Sequence, residues 1–349
     1  MPEDVCILAF GMISAVGLTA REMIASVRAG TARFGQSPRR DKAFEPFNVA
    51  EVPAKGLPPL NEELSREPLS TREARLLRLA TAPLAEAGKM LAKNPLKPPL
   101  FLALPECETR VPLDKARFLK SLARQAGGFN PVTSQAEFIG RAGGLSAVGA
   151  AWRAVSEGKS PFALAGGVDS LLDLYVLATL DMEQRIKSNT SWDAFIPGEG
   201  AAFLLLGSKA GADSLKAKPL ATLSGVAHGT EAGHLYSTEP YRGEGLAQAV
   251  TELFKASAPP KPVSATYSSM NGESHWGKEY SIAYMRNSAK FDPAARLMHP
   301  ADCYGDIGAA AGPMLAALAA DGIAQGYRPG PALVCCSNDR APRAAMMVL

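Results

Sequence analysis

The side chains able to do covalent chemistry in this chain are few, and their spacing is uninformative. Five cysteines, Cys6, Cys107, Cys303, Cys335 and Cys336, are scattered with no CxxC pair, so neither a zinc site nor a disulfide framework is expected. Cys107 follows Pro105-Glu106 just past a strand end, and Cys303 sits between Asp302 and Asp306. Neighbouring carboxylates raise a thiol pKa rather than lower it, so both read as structural cysteines. The four histidines, His228, His234, His275 and His299, have no triad context. Ser337 and Asp339 lie together, but no G-x-S-x-G elbow is present to present a serine nucleophile. His228 and His234 bracket Glu231 at a spacing that matches no familiar metal-ligand pattern. No metal and no cofactor is expected.

In the elements that would carry such residues, short apolar runs alternate with helical spacing. Val5–Phe10, closed by Gly11, reads as a buried strand, and Leu18–Ala29 as a helix with Thr19 as N-cap and Gly30 past its end. Leu100–Leu104 is a strand. Residues 142–157 are a helix, with Leu145, Val148, Trp152 and Val155 on one stripe and Gly158 as its stop. Phe162–Ala165 is a strand expected to turn sharply at Gly166-Gly167, and Gly200–Leu206 is another. Strands near Leu220–Val226 and over Val263–Ser268 flank a helix at Leu246–Ala256. Ile307–Gln325 is helical with Pro313 as a kink or late start, and Ala332–Cys336 and Ala344–Leu349 close the chain as strands. Residues 36–72, rich in proline, charge and serine, read as an irregular connection, and the basic Pro38–Lys42 within them as a solvated loop. Alternating strands and helices imply an α/β fold with buried strands.

The 349 residues, 47% hydrophobic and 20% charged, fit two core-forming units or one duplicated unit. A formal charge of +3 carries no nucleic-acid footprint. The acidic Met1-Pro2-Glu3-Asp4 start lacks a signal pattern, and no run approaches the roughly 18 apolar residues of a membrane span. A cytoplasmic protein is expected.

Four collinear segments resemble the β-ketoacyl synthase family of the thiolase-like superfamily. Ile7–Gly17 is similar to its opening V-T-G-x-G-x-x-S-x-x-G, and Ala165–Ser170 to its A-G-G-x-(D/E)-(S/A). Pro197–Leu206 closely matches P-G-E-G-A-x-x-L-x-L, and Gly305–Ala310 resembles H-x-x-G-A-A. The resemblance implies a thiolase-like αβαβα five-layer sandwich of two related halves, residues 1–210 and 211–349, forming one compact duplicated unit. It also implies a dimer.

That family's condensation needs a cysteine at a helix N-terminus, where the dipole lowers the thiol pKa, and two histidines at the thioester oxyanion. Aligned on these motifs, the nucleophile position is Arg141, with only Gly140 or Ala142 as neighbours. Asn271 takes the place of the first histidine and Gly305 that of the second; His275 and His299 stand nearby, and Pro300 replaces the family lysine. The glycine-rich gating loop reads Ser337-Asn338-Asp339-Arg340-Ala341-Pro342-Arg343. No catalytic residue is therefore assigned. A buried arginine needs an anion, which Glu199 or Asp306 is expected to supply; Cys303 and Asp339 are the other expected pocket neighbours.

These changes together imply an inactive synthase-like scaffold, adaptor or partner subunit, paired with an active synthase as a heterodimer, self-paired as a homodimer, or associated with a secretion system. The alternatives are an acyl or thioester-processing enzyme with a non-standard nucleophile, and a small-anion sensor using Arg141.

Overall fold

The computed structural model describes residues 4–106 and 112–349. The first stretch runs through β1 (Val5–Ser14), α1 (Ala20–Arg28), a hairpin of β2 (Gly35–Arg40) and β3 (Pro46–Val49), and the short α2 (Glu62–Ser65) to α3 (Thr71–Gly88). It continues with β4 (Leu100–Leu104), α4 (Lys115–Gln125), β5 (Gln135–Phe138), α5 (Arg141–Ser156), β6 (Phe162–Ser170), α6 (Leu174–Met182), β7 (Glu199–Ser208) and α7 (Lys209–Ser214). The rest comprises β8 (Ala221–Thr230), α8 (Glu244–Ala256), β9 (Val263–Ser268), α9 (Ser274–Asn287) and β10 (Phe291–Met298). Then come α10 (Ala301–Tyr304), α11 (Ala311–Ala324), β11 (Ala332–Ser337) and β12 (Pro342–Val348).

One mixed sheet has the order β10-β9-β11-β12-β8-β1-β7-β6-β4-β5. β5, β4 and β6 are parallel neighbours, while β7 and then β1 join antiparallel. On the far side β10, β9 and β11 are parallel, and β12 and β8 join antiparallel. Among the described residues the two five-strand sections pair where Val5–Ile7 of β1 face Ala221–Leu223 of β8.

Side-chain alternation explains the layering. Leu204 and Leu206 of β7 join Val334 and Met346 in one core with Leu145 and Val148 of α5 and Leu315 and Leu318 of α11. Phe203 and Leu205 point the other way, onto Leu76, Leu77 and Leu84 of α3. Leu333 and Met347 do the same toward Leu246, Val250 and Phe254 of α8. A strand covered on both faces must be apolar at every position, which is why these segments read as unbroken runs. The layers are therefore α, β, α, β, α, with α5 and α11 in the middle; each fully buried leucine stabilises the stack by about 1.5–3 kcal/mol.

Several expectations change. β6 does not turn at Gly166-Gly167 but runs straight through to Ser170. A Cβ on Gly166 would sit 2.1 Å from the Phe203 ring, and one on Gly167 2.1 Å from the Ala309 carbonyl. These glycines serve close approach, not a bend. Residues 36–72 are only partly irregular: Pro38-Arg39-Arg40 lie in β2, and Lys42 donates to Asp181. Pro313 is the third residue of α11, where its missing N–H would have had no partner within the helix, so it marks a start and not a kink.

Candidate functional site

Four segments converge at one end of the sheet: the start of α5, the turn after β9, the turn after α10, and the turn between β11 and β12. Gly140 (φ 72, ψ −144) swings the chain from β5 into α5 and offers no side chain to cap it. Asn338, from the last turn, does so instead. Its Oδ1 accepts the Ala142 N–H at 2.6 Å, and its Nδ2 donates to Glu106 at 2.7 Å and to the Ile139 carbonyl. The Ala142 N–H at this helix start is thus claimed from within the protein.

Arg141, the first residue of α5, points into the convergence. Its Nε donates to the Ser337 carbonyl at 2.8 Å, Nη1 to Asp306 and Nη2 to Asp339. The Arg141 and Asp306 side chains are 7% and 2% exposed, so this is a buried ion pair. Burial alone would weaken the Arg141 charge, but Asp306 and Asp339 raise its pKa above the ordinary arginine value. Its guanidinium also lies 4.8 Å from the Trp276 ring centroid.

A second guanidinium shares the same carboxylate. Arg185 donates to both oxygens of Glu273 at 2.7 and 2.9 Å and to Asp339 at 2.8 and 3.1 Å. Burial would raise the Asp339 pKa, but Arg141 and Arg185 hold it well below the usual carboxylate range. Asn271 donates to Asp306 at 2.9 Å and to Glu273 at 3.2 Å, and the Trp276 indole N–H donates to Glu273 at 2.9 Å. Behind them Arg343, fully buried, donates to Glu279 at 2.7 Å and to the Asn338 carbonyl at 2.9 Å.

Of the residues singled out in the sequence, Arg141, Asn271, Asp306 and Asp339 meet in this cluster. Glu199 does not reach Arg141. It accepts from Arg75, from the Ser170 hydroxyl and from the Val52 N–H. Gly305 has φ 74, and a Cβ there would meet the Ile196 carbonyl at 2.6 Å. Cys303 is buried, and burial followed by the nearby Asp302 charge pushes its thiol up. The His275 ring centroid lies 4.2 Å from that of Tyr241, while His299 pairs with Asp302 at 2.8 Å. Cys107 lies outside the described residues. Arg185, Glu273, Trp276, Asn338 and Glu106 were missed. No local motif marks them, although three charged or amide residues between β11 and β12 were a signal.

Beside the cluster lies a cavity of about 320 Å³, lined by the polar Arg72, Glu106, Arg141, Asp169, Asn338 and Asp339 and by residues of α6, Tyr175, Val176, Thr179 and Leu180 among them. Burial, then repulsion by Asp339, pushes the Glu106 carboxyl up to about 7. Burial pushes Asp169 up to about 6, against the pull of Arg72 and the Ala309 N–H. Among the described residues the lining contains no cysteine, histidine, serine or lysine. Nor do the described residues hold a group of three or more side chains suited to a metal ion.

Residues 141–212, from Arg141 through β7, match the family model of the β-ketoacyl synthase N-terminal domain. This segment is similar to a β-ketoacyl synthase. The whole length of the chain superimposes on solved ketosynthases. The ishigamide ketosynthase/chain length factor matches at 17% identity with a TM-score of 0.79, over 100% of this chain and 99% of that one. A ketosynthase from module 6 of the bacillaene synthase of Bacillus subtilis 168 matches at 13% identity and TM-score 0.80, over 99% and 72%. The structure of AntDE:AntF, a type II PKS acyl-carrier protein in complex with its ketosynthase, matches at 16% identity and TM-score 0.74, over 100% and 99%. The ketosynthase-like chain therefore has the thiolase-like fold, and among its described residues no helix is long and apolar enough to cross a membrane.

Proposed function

We propose that this ketosynthase-like protein is a non-catalytic subunit that acts by binding another protein. One observation carries the reading: the start of α5, where the resemblance expects a thiolate, holds Arg141 locked between Asp306 and Asp339. A guanidinium cannot accept an acyl group. The Ala142 N–H beside it is already bonded to Asn338 and is not free for an oxyanion. Cys303 is no substitute, because it is absent from the cavity lining and its thiol is shifted toward the unreactive form. Arg141, with two carboxylates of its own, has no need of an external anion.

A heterodimer is the form favoured by the likeness to a ketosynthase/chain length factor. The division into related halves at residue 210 is part of the same reading, supported by the matching order of strands in the two sheet sections. Two measurements test it. Incubation with an acyl pantetheine thioester followed by intact-protein mass should show no adduct; a covalent acyl group on any residue refutes the non-catalytic reading. Native mass of the protein isolated from its own cells should show a fixed-stoichiometry complex with a second polypeptide, whereas a lone monomer or homodimer refutes the partner reading.

A further inference from the structure

Two groups lining the cavity are poorly supplied from within the protein. Glu106 accepts one hydrogen bond among the described residues, from Asn338 onto Oε1. Arg72, with its side chain 8% exposed, has Nη2 3.4 Å from the Ser170 carbonyl and 3.6 Å from Asp169, and its Nε has no partner. A buried donor without an acceptor and a carboxyl without a full set of donors are both costly, and the two residues, Arg72 and Glu106, line the same space. The same lining includes the apolar Leu171, Val176, Leu180 and Phe195.

An anion alone would answer Arg72 but face Glu106 and Asp169, and a cation alone would leave Arg72 as it is. A molecule carrying both charges answers each group. We infer that the cavity binds a small zwitterion with an apolar side chain, of the α-amino-acid kind. Its ammonium lies against Glu106 and Asp169, its carboxylate against Arg72, and its side chain against the apolar Leu171, Val176, Leu180 and Phe195. The volume, about 320 Å³, lies at the small end of the range of ligand pockets. Charge-assisted hydrogen bonds to both charges would fix the orientation, and the apolar residues would select the side chain. The inference does not depend on the partner reading, since neither its ligand nor its test involves a second protein.

Calorimetric titration of the full chain with leucine, valine, methionine and phenylalanine tests it, with isocaproate and isoamylamine as leucine skeletons lacking the ammonium or the carboxylate. At least one amino acid should bind, and the two leucine analogues should bind about tenfold or more weakly than leucine. Glu106→Gln should weaken amino-acid binding about tenfold but leave isocaproate unchanged. Arg72→Gln should weaken it similarly but leave isoamylamine unchanged. Thermal unfolding of each variant confirms that it is folded. Isocaproate binding as tightly as leucine would reduce the cavity to an acyl or anion site and overturn the proposal. Equal binding of isoamylamine, or no heat from any of the amino acids at millimolar concentration, would overturn it as well.

Discussion

Replacing Arg141 by methionine keeps an unbranched apolar stem at the start of α5 and deletes the guanidinium. The loss falls unevenly on its two partners. Asp339 is 19% exposed and keeps its bonds from Arg185, so it remains paired. Asp306 is 2% exposed and keeps the Gly308 N–H and the Asn271 amide but loses its cation. Breaking a buried pair from one side costs roughly 3–5 kcal/mol. With Asp339 still served, the lower end applies, about 3 kcal/mol.

A chain of 349 residues has an unfolding entropy of roughly 0.7 kcal/mol/K, so the expected fall in Tm is about 4 °C. Urea unfolding supplies an independent free energy. The double variant Arg141→Met/Asp306→Asn removes both charges and should recover at least half of the loss, because an uncompensated buried charge is what costs. A single-variant loss below about 1 kcal/mol, or a double variant as unstable as the sum of the singles, refutes the account of Arg141 as an internally neutralised lock.

Glu106, whose carboxyl is pushed by burial up to about 7 from the ordinary glutamate value of 4.5, binds its proton more tightly in the native state. Native stability should therefore fall as pH rises from about 4.5 to about 7, on the order of 2–3 kcal/mol, and Glu106→Gln should flatten that part of the stability profile. Gly305→Ala should cost about 1–3 kcal/mol in thermal or urea unfolding, since φ 74 and the Ile196 carbonyl 2.6 Å from the new Cβ both oppose it; an unchanged midpoint would mean the backbone there relaxes freely. Arg141→Cys/Asn271→His should remain unlabelled by acyl thioesters at pH 7, because the new thiol would face the carboxylates of Asp306 and Asp339, of which only Asp339 keeps an arginine, Arg185, and nearby carboxylates raise a thiol pKa. Stoichiometric acyl labelling would show that the lock is dispensable.

Much of the fold was legible because the strands are apolar on both faces. β4 and β9 match the expected bounds, and Thr19 caps α1 as expected, accepting the Glu22 N–H. What escaped were elements whose pattern is weak alone. β5 is four residues long on the sheet edge, and α6 is apolar nearly all round yet exposes Leu174, Tyr175 and Met182. Even α3, with Ser70 capping it by accepting the Glu73 N–H, went unread inside a charge-rich stretch. At the site, Arg141 and Asp306 could be paired from motif positions. Arg185 and Glu273 could not, because they are 88 residues apart and only the tertiary fold joins them.

The altered residues are also not independent. A cation as first residue of a helix is disfavoured by the helix dipole as well as by burial, so Arg141 requires carboxylates close by. Asp306 supplies one from the turn after α10, and Asp339 supplies the other only because the β11–β12 turn lies across the helix start. That turn is pinned at three places: Asn338 on the Ala142 N–H, Asp339 on Arg141 and Arg185, and Arg343 on Glu279. A glycine-rich turn would offer no side chains for these bonds, and a neutral nucleophile at 141 would leave Asp306 without a cation while Asp339 kept only Arg185. Arginine at 141 and a charged, anchored final turn are therefore two halves of one electrostatic solution. Changing either alone should cost stability before it changes any chemistry.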